Sequence, residues 1–125
     1  MQELLVWVYL VNAVLLINHE IDSAFWKEWE LFKLPGGIGG FLVLHFPLLF
    51  IILFGLLQVS RESFTGLMLS LVLSAGGIFA FTVHTIFIKK GRKEFNTGIS
   101  RFVLAATLLT SLIQLALTVA LLLNG

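Results

Sequence analysis

Three histidines, His19, His45 and His84, stand in surroundings that are otherwise mostly apolar. Imidazole nitrogen suits zinc, iron, manganese or copper and also titrates near neutral pH, so three histidines at one place form a metal centre or a proton-handling pocket. His19 and Asp22 are spaced i, i+3, which lets both side chains of a helix reach one point. With His45 and His84 they make three imidazoles and one carboxylate, enough for a tetrahedral or open five-coordinate shell around zinc or iron. Glu20 is turned about 100° from His19 around the same helix and would serve from the flank as general acid or base. Glu28 is expected on a solvated stretch, and Glu30 at the surface. The plainer alternative is that each histidine separately hydrogen-bonds a carbonyl or extends to water. The HExxH zinc-protease pattern is absent, because no second histidine follows His19-Glu20 on that helix.

The elements that must position these residues are helices in a membrane. The chain of 125 residues is 58% hydrophobic and 12% charged, with a mean hydropathy of +1.02. Soluble domains carry about 25% charged residues, so water is not its main solvent. Four apolar runs cover residues 4–23, 38–58, 64–88 and 100–123. Each approaches or exceeds the ~20 residues that cross a ~30 Å hydrocarbon core as a helix. Strands are excluded by run length and by the lack of alternation. The first run is expected to stay on the chain, since Met1-Gln2-Glu3 lacks the basic start of a cleaved signal. There is no cysteine, which excludes disulfides, thiolate metal sites and covalently attached haem. A net charge of +1 gives no reason to expect nucleic acid as a partner.

Short connections predict an all-α, up-down-up-down bundle in one domain, residues 1–125, with an interfacial helical extension over 24–34 after the first span. In that extension Phe25, Trp26, Trp29 and Phe32 alternate with charges, as in a belt lying against headgroups. Pro47 is expected to kink the second span just beyond His45. Seven of the eight basic residues, Lys27, Lys33, Lys89, Lys90, Arg92, Lys93 and Arg101, fall on one side, against Arg61 on the other. Basic residues remain cytoplasmic, so both termini are expected on the non-cytoplasmic side.

This topology gathers the histidines. His19 must lie at the inner edge of the first span. At 1.5 Å per residue His45 is about 10 Å from the cytoplasmic start of the second, and His84 about 6 Å from the end of the third. Gly66, Ser70, Ser74, Gly77 and His84 share one face of the third span. Small residues at that spacing form a packing face, which turns His84 inward. Thr107, Ser111, Gln114 and Thr118 make a polar stripe on the fourth span. With Asn12 they act as interhelical hydrogen-bond glue or, on a sharper reading, as a hydrated path.

The stretch His19-Glu20-Ile21-Asp22-Ser23-Ala24-Phe25-Trp26-Lys27-Glu28-Trp29-Glu30, with Leu34-Pro35-Gly36-Gly37, resembles the signature of a small bacterial four-span membrane family, a domain of unknown function. The resemblance implies an integral inner-membrane protein and supplies no activity.

Three functions are therefore weighed. The first is a metal-binding membrane protein acting on a lipid-soluble substrate, with His19, Asp22, His45 and His84 as ligands and Glu20 as acid or base. Three histidines are too few for the di-iron hydroxylase and desaturase pattern, so its centre would be mononuclear. The second is b-type haem electron transfer, with His45 and His84 as axial ligands and His19 contacting a propionate or quinone. The third is a small transporter or channel subunit, a homo-oligomer because four helices enclose little space. No carboxylate falls at mid-membrane to support it. Membrane lipid is the expected partner in every case.

Overall fold

The structure is a computed structural model that describes residues 1–93 and 96–125. Its elements are α1 (Gln2–Phe25), α2 (Glu28–Leu31), α3 (Gly37–Ser60), α4 (Phe64–Lys89) and α5 (Gly98–Asn124). The four long helices extend the expected apolar runs by two residues or fewer at each end. All four are long and apolar enough to cross a membrane. In hydrocarbon a helix satisfies its own backbone polar groups, which is why such runs adopt no other form. Pro47 lies inside α3 without ending it.

The long helices pack in a square. α1 lies against α3 and α5, α4 lies against the same two, and among the described residues α3 and α5 do not meet. Chain neighbours are therefore spatial neighbours, and α5 closes the ring on α1. This is an integral-membrane four-helix bundle with up-down-up-down order. Its exterior is large apolar side chains, among them Phe46, Phe50, Phe79 and Phe102, as a lipid-facing surface requires.

Close approach is set by small residues. A Cβ on Gly77 would overlap the Ser111 hydroxyl and press on Thr107, so α4 and α5 can meet only with glycine there. Gly55 on α3 admits the Tyr9 hydroxyl in the same way, and that hydroxyl donates to the Ile52 carbonyl at 2.8 Å. The small-residue face predicted for the third span is buried throughout, with Gly66, Ser70, Ser74, Gly77 and His84 all inside.

The segment after α1 differs from the simple extension expected. The helix stops at Phe25, and Lys27 takes a left-handed conformation at φ 53° that reverses the chain. The turn of α2 then folds back against α1 and α3. Phe25 stays 74% exposed while Leu31 is only 8% exposed, packed with Leu104 and flanked by Trp26, Phe81 and Ile88. Short apolar spacing alone cannot distinguish a helix lying on headgroups from one tucked under the bundle, because the distinction is a single backbone reversal.

Candidate functional site

The last two turns of α1 carry His19, Glu20 and Ser23, and the Ser23 hydroxyl donates to the His19 carbonyl at 2.9 Å. His84 comes from the matching end of α4. Both imidazoles are 2% exposed, and their rings meet edge to face with centroids 4.7 Å apart. The reversal at Lys27 delivers Glu28 to the same place. Its Oε2 lies 3.6 Å from His84 Nε2 and is buried without a hydrogen bond of ordinary length. One donor atom from each of His19, Glu28 and His84 lies within 4.8 Å of the others. Donors bound to one ion at about 2.1 Å sit no more than about 4.2 Å apart, so closure on an ion requires only a small side-chain rotation.

Within this group of donors the negative charge is carried by Glu28. Burial pushes the Glu28 carboxyl up, but contacts with the His84 and Ser23 side chains and the fields of His84 and His19 pull it further down, leaving it below the ordinary carboxylate range. An anionic carboxylate beside two imidazoles is the donor set of two-His-one-carboxylate centres, which suit zinc with an open position or non-haem iron. Phe32 covers the group from below, 6.2 Å from His84 and 5.8 Å from Phe87 between ring centroids.

His45 belongs to a neighbouring arrangement. Its Nδ1 lies 2.6 Å from the Phe41 carbonyl, which can only accept, so Nδ1 carries a hydrogen and donates it. Its Nε2 lies 2.6 Å from Glu20 Oε2. One proton must therefore lie between His45 and Glu20, as imidazolium with carboxylate or as imidazole with carboxylic acid. Phe41 stacks on His45 at 3.8 Å and Trp29 approaches Phe41 at 5.4 Å, which holds the ring in place.

The expected ligand set is thus divided. His19 and His84 come together, His45 pairs with Glu20 instead, and Asp22 lies outside the group of three donors, partly exposed on α1. Glu28, expected to be solvated, takes the carboxylate position beside the imidazoles. The physical reason is the backbone reversal, which turns Glu28 under the bundle. A carboxylate two residues after Trp26 and one before Trp29 in an interfacial segment was the available signal. Glu20, expected to flank the site, lines a cavity of about 260 Å³ together with His19, Glu28 and His84.

A family model matches residues 5–121, nearly the whole chain. The chain belongs to DUF6713, a family of unknown function. No curated protein matches it, and no solved structure does. The family match spans His19, Glu20, Glu28, His45 and His84 and takes in most of each of the four long helices, in keeping with the small four-span family that the His19–Glu30 stretch resembles.

Proposed function

We propose that this DUF6713 protein binds one divalent metal ion, zinc or iron, through His19, Glu28 and His84, and acts on a lipid-soluble substrate. The observation that carries the reading is the convergence of donor atoms from buried His19, buried His84 and half-buried Glu28 within 4.8 Å at the head of an apolar cavity. A bound ion would supply Lewis acidity. Glu20, which shares a proton with His45 behind it, stands at the cavity wall as general acid or base. Haem would need His45 as an axial ligand, and both ring nitrogens of His45 are already engaged, which favours the simple ion.

The test is metal analysis and a visible spectrum of protein purified without a histidine tag. One equivalent of zinc or iron with no Soret band is expected. Protein that takes up no metal from stoichiometric zinc or ferrous salt overturns the reading.

The proposed setting is the bacterial inner membrane, with the site at the cytoplasmic face. The support is charge: Lys27, Lys33, Lys89, Lys90, Arg92, Lys93 and Arg101 flank that end. A periplasm-active reporter fused after Gly125 should be active and one inserted at Gly91 silent; the reverse pattern inverts the assignment.

A further inference from the structure

The cavity that starts at His19, Glu28 and His84 continues well past them. It follows the seam between α3 and α4, with α1 as its back wall, as far as Tyr9. Along α1, His19 and Tyr9 are ten residues apart, about 15 Å at 1.5 Å per residue. That is half of a ~30 Å hydrocarbon core, the depth of one leaflet. Apart from the charged end, the lining is apolar but for Tyr9, whose hydroxyl is occupied by the Ile52 carbonyl. Val72 and Phe79 line the crevice and are also 61% and 64% exposed, so it opens sideways onto the lipid-facing surface.

We infer that this crevice takes the hydrocarbon chain of a single-chain fatty acid, entering from the bilayer with its carboxylate at His19, Glu28 and His84. The inference rests on the proposed metal ion. Two neutral imidazoles and one carboxylate leave a divalent ion with net positive charge, which attracts a carboxylate; without the ion, Glu28 would repel it. About 260 Å³ spread over one leaflet's depth admits one chain and not two side by side, which selects against diacyl phospholipid. Polar groups at one end only, aligned with the membrane face, fix the direction in which an amphiphile lies.

Gly76 provides the test. It lines the crevice, and a Cβ built there meets nothing within 4 Å. Gly76→Phe therefore adds a ring at the crevice wall with no clash at its Cβ, and it replaces a poor helix former. The probe is a diazirine-bearing analogue of dodecanoic acid, photolysed with the full chain after zinc loading. Labelling is expected on crevice residues of α3 and α4, to be displaced by dodecanoic acid and not by dodecanol, and to disappear on chelation. In Gly76→Phe it should fall about tenfold or more as the apolar contact area is lost, with zinc stoichiometry unchanged. Labelling spread over every lipid-facing helix surface, equal in wild type and Gly76→Phe, or displaced equally by the alcohol, overturns the inference. Labelling that survives chelation overturns the carboxylate-on-metal assignment. Absence of zinc from the wild type is a separate result, and it removes the metal reading itself.

Discussion

Two polar regions are buried in this bundle, and they are built on opposite plans. Between α1, α4 and α5 runs a ladder of neutral groups. The Asn12 amide donates to Gln114 at 2.9 Å and to Ser111 at 3.1 Å. The Gln114 amide donates to the Ser70 hydroxyl and carbonyl at 2.9 and 3.1 Å, and Ser70 meets Thr118 at 2.8 Å. None of these residues lines the crevice along α3 and α4. At the other region the side chains are ionisable, Glu28 and His84 stand at 3.6 Å, and the group borders open space. A polar cluster whose donors and acceptors are matched internally has nothing left to offer a ligand and serves as glue. One whose side chains are ionisable and border a cavity has groups left to offer a ligand. The stripe read from the fourth span is thus the hydrogen-bonded seam of the bundle, joined through Ser70 to α4.

The largest effect expected to separate the two regions is loss of the proposed ion. His84→Ala and His19→Ala should each abolish bound metal, and the double variant should be no worse, since ligands of one ion act as a unit. Thermal unfolding in detergent, followed on the metal-free proteins, should change by less than ~1 kcal/mol beyond the packing lost. Additive, partial losses of metal would instead mean that the two histidines act separately.

Next in size is the seam. Gly77→Leu places a side chain where even a Cβ overlaps Ser111, and such overpacking costs about 1–3 kcal/mol or more. A markedly lower melting temperature in detergent is expected; an unchanged one would show that α4 and α5 are not in the close contact described.

A finer contrast tests the division of the carboxylates. Glu28→Gln should weaken zinc affinity by about tenfold or more, because it removes an anionic ligand. Asp22→Asn should leave affinity nearly unchanged. Equal effects from the two substitutions would restore Asp22 to the site. Because the Glu28 carboxyl sits below its usual range, it remains anionic as pH falls. Protonation of Glu28 should therefore not be the step that releases metal on mild acidification, which a metal titration against pH checks.

Smallest is the ladder itself. Gln114→Leu removes the bonds to Asn12 and Ser70 and should cost roughly 1 kcal/mol, in line with interhelical hydrogen bonds in membranes. Metal content should not change. A loss of metal in this variant would couple two regions that share no cavity wall.

Much of this arrangement is legible along the chain. Hydrophobic length places the four spans to within two residues, since a helix in lipid depends only on its own stretch of apolar residues. Periodicity alone turns Gly77, Ser74 and His84 to one face of α4, and Thr107, Ser111, Gln114 and Thr118 to one face of α5. All seven are buried. The shared depth of His19 and His84 follows from counting residues, because rise per residue is constant.

The membership of the candidate site was decided by tertiary structure. His19, His45 and His84 occur at similar depth, yet depth is one coordinate and says nothing of position around the square. There His45 meets Glu20 on α1, and His19 meets His84 on α4. The carboxylate beside those two imidazoles depends on a single left-handed residue, Lys27, that no periodicity reports. A lysine has no marked preference for that conformation, so packing of Leu31, Phe32 and Trp29 under the bundle must hold it. The sequence determines helices, faces and depth because those are local or additive along the chain. Which donors share one point depends on distances between helices and on one loop reversal, and these exist only once the four spans have packed.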